Sequence, residues 1–129
     1  MSQKDSRRET GMRIRREVLG DAHVDRAIAG TTELTAGFQE LITEVAWGNV
    51  WARDDLDRKT RSCITVALLA ALGFEAELAL HVRAALRNGL TAAEIAGVLI
   101  HTAVYAGVPA ANRAFAVAER VLAEAAAEP

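Results

Sequence analysis

The sequence predicts an all-α fold, and three observations carry that prediction. Hydrophobic residues make up 51% of the chain and aromatic residues only 5%, so the apolar content is mainly alanine and leucine, which favour helices. Apolar residues recur at three- and four-residue spacing, and the alternation typical of strands does not occur in the sequence. Glycines and capping residues close these segments in turn. We therefore expect a bundle of packed helix hairpins.

The N-terminal part of the chain predicts two helices in succession. The first begins near Asp5 or Ser6, and the glycine at position 20 ends it. The second is short and covers Asp21 to Ala29, with Gly30 as its stop. The side chains expected to face inward from the first helix are Met12, Ile14 and Val18.

A third helix is predicted to open at Thr31 and Thr32 and to end at Trp47 and Gly48. Apolar side chains at three- and four-residue spacing would give this helix one buried face. That face comprises Leu34, Phe38, Leu41, Ile42 and Val45.

The stretch from Arg58 to Phe115 predicts consecutive helices, each closed by a glycine. Either Asp54 or Asp57 can cap the first of them, which ends at Gly73. The next helix runs from about Glu75 to Asn88 and stops at the following glycine.

The next helix start is the clearest in the chain. Thr91 and Glu94 form a capping box, and Leu90 can pack against Ile95 across it. The helix ends at Gly107, and the last helix is predicted from Pro109 to about Ala125 because proline is well tolerated at a first helical position.

The length of the chain and its apolar content predict the number of domains and whether the chain self-associates. A chain of 129 residues fits one domain that needs no metal or disulfide for stability, with residues 1–4 and 126–129 expected to be loose. Alanine-rich helices pack closely and leave small apolar patches exposed. We therefore expect the chain to self-associate.

Charge and cysteine content exclude several classes of protein. Fifteen basic against seventeen acidic residues give a net charge of −2 without a continuous basic stripe, so nucleic acid is not an expected partner. The single cysteine, Cys63, excludes an internal disulfide and a Cys-x-x-Cys site. The charged N-terminal segment lacks the apolar core of a signal peptide, and no run reaches membrane-spanning length. These features predict a cytoplasmic protein without a membrane partner.

Glu77 and His81 are the first candidates for chemistry. Their four-residue spacing lets a carboxylate meet an imidazole on one helix, where it would orient the ring and favour its charged form. His81 is then a candidate general acid. The alternative is a solvated ion pair on a helix surface, which is common and contributes only about 0.3 to 0.5 kcal/mol.

His101 and Tyr105 repeat the same spacing on the following helix. The apolar neighbours favour a core histidine at position 101, while Tyr105 can line a pocket. The three histidines, His23 included, come from separate segments without paired ligand spacing. We therefore expect no metal site.

Arginines and tryptophans surround the loop that leads into the central helix. Planar guanidinium groups there could bind an anionic substrate through paired hydrogen bonds. The alternative is an exposed basic helix start that is paired with the neighbouring aspartates. The residues concerned are Arg53, Arg58, Arg61, Trp47 and Trp51, with Asp54, Asp55 and Asp57.

Several segments together resemble the carboxymuconolactone decarboxylase family. They are RREVLGDAHVDRA, WGNVW, LDRKTRS, LLAALG, ELxxHVRAALRNGLTxxEI and HTAVYAGVPAANRAF. The resemblance covers roughly Gly11 to Val121. It implies the all-helical alkyl hydroperoxidase D-like fold, assembled as a trimer or hexamer. It also implies cofactor-independent decarboxylation of a small lactone dicarboxylate in bacterial protocatechuate breakdown.

The chain differs from related sequence patterns at two places, and each difference bears on the chemistry that the resemblance implies. The peroxidase branch of the superfamily carries Cys-x-x-Cys-x-x-x-His where this chain has Phe74, Glu77 and His81, so thiol peroxidase chemistry is excluded. Decarboxylases often have Arg-Pro-Gly-Leu where this chain has Arg53-Asp54-Asp55-Leu56, which adds two carboxylates to the predicted anion-binding loop.

The resemblance also suggests a role for each candidate. His81 would be the general acid, and Glu77 would hold it. Arg58 or Arg61 would bind a carboxylate of the substrate, and Trp47 and Tyr105 would wall the pocket. The alternatives are the same fold acting on a different small lactone or carboxylate, and a non-catalytic helical oligomer.

Overall fold

The computed structural model describes residues 2–129, which fall into two compact units. The first unit ends at Leu56, and the second covers Asp57–Pro129. All regular structure within the described residues is helical, which confirms the predicted fold class. Met1, the first residue of the segment predicted to be loose, lies outside the described residues. The prediction of one domain over the whole chain stays a prediction.

The first unit contains α1 (Gln3–Leu19), α2 (Asp21–Ala29), α3 (Ala36–Leu41) and a π-helix (Ile42–Val50). The Ser2 hydroxyl caps α1 by accepting a 3.1 Å hydrogen bond from the Asp5 amide. The α1 helix therefore begins slightly earlier than predicted, whereas the end of α1 and the bounds of α2 agree with the prediction.

Two glycines bring α1 and the π-helix into close backbone contact. A Cβ atom added at Gly11 would clash with the carbonyl oxygen of Thr43, and one added at Gly48 would clash with the carbonyl oxygen of Arg7. The absence of both side chains lets the two helices approach this closely. The pair of glycines thus sets the separation of the elements that form most of the first unit.

The prediction for the third helix is wrong in its start, its end and its buried face. The α3 helix begins at Ala36, and the helical path continues beyond Gly48 to Val50 with π-helical hydrogen bonding. Leu34 is 92% exposed, and Phe38 also lies on the surface. The reason is that α1 packs on the side of Thr43, Trp47 and Gly48, so the predicted apolar face has no partner within this unit.

The second unit consists of α4 (Arg58–Leu72), α5 (Glu75–Arg87), α6 (Ala92–Ala106) and α7 (Val108–Ala127). Their order and their glycine stops agree with the sequence prediction. Gly73 ends α4 in the left-handed conformation, with φ 76° and ψ 24°, which glycine adopts without steric strain. No helix in the described part of the chain is long and apolar enough to cross a membrane.

All four helices of the second unit contribute to one buried apolar cluster. Burial of aliphatic side chains is the main favourable contribution to such a fold, at about 25 cal/mol per Å² of apolar surface removed from water. The cluster comprises Val66, Ala70, Leu78, Val82, Ala85, Leu90, Ile95, Leu99, Ala114, Val117, Ala118 and Val121. Cys63 packs against this cluster while partly exposed.

The capping box at the start of α6 is also a link to α4. The Thr91 hydroxyl accepts a hydrogen bond from the Glu94 amide at 3.1 Å, and the Glu94 carboxylate accepts one from the Thr91 amide at 3.0 Å. The other oxygen of Glu94 lies 2.8 Å from Nζ of Lys59. The hydrogen bonds from Lys59 and from the Thr91 backbone lower the pKa of Glu94.

The C-terminal tail is helical farther than predicted. The α7 helix continues to Ala127. Nη1 of Arg83 donates a 2.6 Å hydrogen bond to Glu128, and Nη2 lies 3.8 Å from a carboxylate oxygen of Glu124. These charges hold the last turn of α7 against α5.

We predict that Gly11→Ala destabilises the protein, because the new methyl group must push the π-helix away from α1. The free energy of unfolding is expected to fall by roughly 2 kcal/mol, as in other overpacked cores. Gly37→Ala is the matched control, because a Cβ atom there meets nothing within 4 Å. The control should leave stability unchanged or raise it by up to about 1 kcal/mol. Urea unfolding measures both, and equal midpoints for the two variants would contradict the close approach.

Candidate active site

His81 lies in the middle of α5, at the edge of its core-facing surface. Leu78 and Val82 on either side of it are buried, and they fix the orientation of the helix. The imidazole is half-buried, and its Nδ1 atom is shielded from solvent. The histidine is therefore neither fully solvated nor part of the core.

Glu77 is one helical turn before His81, but its side chain is exposed. Within residues 2–129, Glu77 makes no side-chain hydrogen bond or ion pair, so no bond joins it to His81 in this structure. The two residues are on the same helix as the sequence predicts. The predicted role of Glu77 in holding the imidazole stays a prediction.

Arg58 and Arg61 are half-buried on the first turn of α4. Asp57 caps this turn by accepting a 2.7 Å hydrogen bond from the Thr60 amide, which confirms one of the two predicted caps. The same hydrogen bond lowers the pKa of the Asp57 carboxyl. The cap thus fixes the backbone from which both guanidinium groups extend.

A hydrogen bond that the sequence did not predict fixes the start of α4 against α5. Nδ2 of Asn88 donates to the buried hydroxyl of Ser62 at 2.7 Å. Ser62 follows Arg61 directly, and Asn88 caps the end of the helix that carries His81. The contact therefore places the arginine-bearing turn of α4 beside α5.

Tyr105 lines a groove between α4 and α6, as the sequence analysis allowed. The groove has a volume of about 460 Å³ and mainly apolar walls, which include Leu68, Ala71 and Thr102. Tyr105 is 81% exposed, and Glu77, His81, Arg58 and Arg61 are not among the groove walls. Its predicted place in one pocket with them stays a prediction.

The prediction of a core histidine at position 101 is wrong. His101 is exposed, and its ring lies 5.1 Å from that of Tyr105. The apolar residues around it in sequence, such as Ile100 and Val104, are exposed as well. An uncharged helix face was thus mistaken for a core face.

Trp47 lies in the first unit, on the π-helix. It is 5% exposed, and its ring stacks on that of Trp51 with centroids 5.1 Å apart and planes 29° from parallel. The tryptophan is therefore part of the interior of the first unit. Its predicted role as a pocket wall stays a prediction.

In the loop before α4, the Asp55 carboxylate pairs with the guanidinium of Arg53. Nε and Nη2 of Arg53 donate to one oxygen of Asp55 at 3.0 and 2.8 Å. The hydrogen bond to Asp55 raises the pKa of the Arg53 guanidinium. Asp55 thus pairs with the guanidinium of Arg53, as the alternative of an arginine paired with neighbouring aspartates predicted.

Comparison with known proteins gives the family. The family model described as carboxymuconolactone decarboxylase matches residues 36–120, which include α5 and the start of α4. The chain belongs to the carboxymuconolactone decarboxylase family. This result confirms the resemblance read from the sequence.

Three relatives of the chain carry two different enzyme names. A 4-carboxymuconolactone decarboxylase of Acinetobacter baylyi is 44% identical over 91% of this chain and 87% of its own length. A nitrosuccinic acid decarboxylase of Metarhizium robertsii is 42% identical over 88% of this chain and 80% of its own length. A 4-carboxymuconolactone decarboxylase of Pseudomonas putida is 49% identical over 33% of this chain and 90% of its own length. All three relatives are named as decarboxylases.

We predict that Asp57 stabilises the arginine-bearing turn in a pH-dependent way. The folded-state pKa of Asp57 is depressed, so its contribution is present above the unfolded value of about 3.9 and is lost as pH falls through the folded value. Asp57→Ala should lower the urea midpoint near pH 7. Asp57→Asn keeps a good cap without a titrating group. The advantage of the wild type over Asp57→Asn should disappear on acidification, and an unchanged advantage would contradict the assignment.

Proposed function

We propose that this protein catalyses cofactor-independent decarboxylation of 4-carboxymuconolactone to 3-oxoadipate enol-lactone in cytoplasmic protocatechuate catabolism. The observation that carries the proposal is the 44% identity to the Acinetobacter baylyi decarboxylase over 91% of the chain. A half-buried imidazole on α5 and two half-buried arginines on the neighbouring helix α4 supply the types of group that this reaction needs.

The substrate itself can accept the electrons that decarboxylation releases. The bond between the ring carbon and its carboxylate breaks, and CO2 leaves. The electron pair passes through the ring double bond into the lactone carbonyl and forms a dienolate. A proton then adds to the carbon next to that carbonyl and gives the enol-lactone. The protein must therefore bind the carboxymethyl arm, stabilise the dienolate and deliver one proton.

We assign the proton transfer to His81. Because its Nδ1 atom is shielded from solvent, Nε2 of the imidazolium is the donor to the dienolate carbon. The neutral imidazole then regains a proton from water. Arg58 or Arg61 would bind the carboxymethyl arm, since a guanidinium group matches a carboxylate with two hydrogen bonds. Glu77 would favour the charged imidazole.

The nitrosuccinic acid decarboxylase relative supports a second candidate substrate. Nitrosuccinate and 4-carboxymuconolactone share a succinate frame. In nitrosuccinate one carboxylate is on the carbon that bears the nitro group, and in the lactone the carboxylate-bearing ring carbon is joined to the carbonyl through the ring double bond. Loss of that carboxylate would leave a CH2–COO− arm in each. The same acid and the same arginine would serve both reactions. The group that accepts the electrons, a nitro group or an unsaturated lactone, distinguishes them.

We also propose that the α4–α6 face of the second unit binds a second copy of the chain. From Ser62 to Leu72 and from Ile95 to Ala106 neither helix has an acidic or basic residue apart from His101. Large apolar side chains such as Leu68 and Val104 are exposed there. An uncharged apolar surface of this kind is typical of an interface. A trimer or hexamer would cover it.

We predict that His81→Ala lowers kcat on 4-carboxymuconolactone by about 10²-fold or more, because a positioned general acid typically contributes that much. Loss of the lactone absorbance measures the rate, with and without a chelator. Arg87→Gln, an exposed change on the same helix, is the control and should retain activity. Normal turnover by His81→Ala would contradict the assignment.

The same assay distinguishes the candidate functions. The wild type is expected to consume the lactone faster than nitrosuccinate, and the reverse order would favour the second candidate. Glu77→Gln should lower kcat and shift its pH profile if Glu77 acts on the imidazole. An unchanged profile would leave Glu77 as a solvated surface carboxylate. Turnover of neither compound would favour the non-catalytic oligomer.

We predict that Leu68→Glu and Val104→Glu reduce self-association, because a charge cannot be buried in an apolar contact without a partner. Light scattering coupled to size-exclusion chromatography measures the mass. Ala116→Glu places the same charge on an exposed position of α7 and should leave the mass unchanged. If all three variants have the wild-type mass, the interface lies elsewhere.

A further inference from the structure

The first unit contains a buried arginine that the proposed function does not use. Arg15 lies on α1 and is 6% exposed. Its Nη2 donates to Oε1 of Gln39 at 3.1 Å, and its Nη1 lies 3.4 Å from the hydroxyl of Thr43. Both acceptors are neutral. The Nε atom is buried and makes no hydrogen bond within residues 2–129.

Arg15 differs in this respect from the other arginines of the same helix. Arg7 and Arg8 pair with Glu44 and Glu40. Arg13 and Arg16 pair with acidic side chains as well. In the part of the chain that the structure describes, no carboxylate pairs with Arg15, and burial alone lowers its pKa. The guanidinium nevertheless stays charged near neutral pH. A buried charge without a counter-ion is strongly unfavourable.

A cavity of about 260 Å³ lies beside this guanidinium, entirely within the first unit. Arg15, Gln39 and Thr43 form its polar wall. Met12 and Ile28 are among its apolar walls. The ion pair of Arg8 and Glu40 also borders the cavity, and both of its side chains are about half exposed. The cavity therefore has a cationic group without a paired carboxylate, Arg15, on one wall and apolar side chains on another.

We infer that this cavity binds a small monocarboxylate, with the Arg15 guanidinium as its counter-ion. The guanidinium has N–H donors that match two carboxylate oxygens. A short aliphatic chain fits the apolar wall, and the volume suits a molecule of a few carbon atoms. Glu40 on the wall opposes a second negative charge, so a monocarboxylate fits better than a dicarboxylate. His81 is not among the walls of this cavity, and the inference does not depend on the lactone activity.

The test compares butyrate with its neutral isostere butyramide on the full chain. The thermal unfolding midpoint is measured at constant ionic strength, with sodium chloride as the reference salt. Butyrate should raise the midpoint of the wild type in proportion to its occupancy, and butyramide and chloride should not. Equal effects of butyrate and butyramide would overturn the inference, because the charge would then play no part.

Variants locate the effect at Arg15. Arg15→Gln should weaken butyrate binding by about tenfold to a hundredfold, the usual effect of losing a charge-assisted hydrogen bond. Arg13→Gln is the matched control, because Arg13 is an exposed arginine on the same helix and should leave binding unchanged. Without butyrate, Arg15→Gln should be at least as stable as the wild type, since it removes an unneutralised charge.

A second variant covers the case in which Arg15→Gln does not fold, and two further results would overturn the inference. If Arg15→Gln does not fold by circular dichroism, Arg15→Lys retains the charge without the planar fork and should bind butyrate more weakly than the wild type. An undiminished butyrate response in the folded Arg15 variant would overturn the inference. So would a wild type that ignores butyrate while Arg15→Gln loses self-association, because the counter-ion would then be a carboxylate of another copy.

Discussion

The burial of aliphatic side chains from four helices in one cluster is the constraint on which the second unit depends. Four of these side chains are wholly shielded from solvent: Val66 on α4, Val82 on α5, and Ile95 and Leu99 on α6. Their contacts fix how α5 is rotated about its axis. That rotation decides that His81 lies at the edge of the core and Glu77 in solvent. The chemistry that we assign to the imidazole therefore rests on packing around it.

The sequence predicted the second unit well because its helix ends are determined locally. A capping side chain or a glycine in the left-handed region acts within a few residues. Gly73 and the Thr91–Glu94 box could therefore be predicted directly, and Asp57 as one of two possible caps. The third predicted helix failed for the opposite reason. Periodicity shows that Leu34 and Phe38 share a face, but it does not show which element covers that face. In this unit none does.

The candidate site was predictable in its residue types and less so in its contacts. The sequence placed His81 and the arginines on neighbouring helices, and the structure agrees. Whether Glu77 reaches the imidazole depends on side-chain rotamers that spacing does not determine. The Ser62–Asn88 hydrogen bond joins two helices and has no local signal. The burial of Arg15 did have a local signal in the sequence. Arg15 is four residues after Gly11 and four before Leu19, which places the three residues on one face of α1, and that face is buried.

The Glu94 carboxylate bonds to two helices at once, so its protonation would affect both of them. One of its oxygens holds the beginning of α6 and the other holds Lys59, on the turn of α4 that carries Arg58 and Arg61. A single proton taken up by this carboxylate would weaken both attachments together, since its folded pKa is depressed. Because that pKa is lowered, only acidification below the usual titration range of a glutamate carboxyl would loosen the starts of α4 and α6, where Arg58 and Arg61 lie, while the aliphatic interior stays intact.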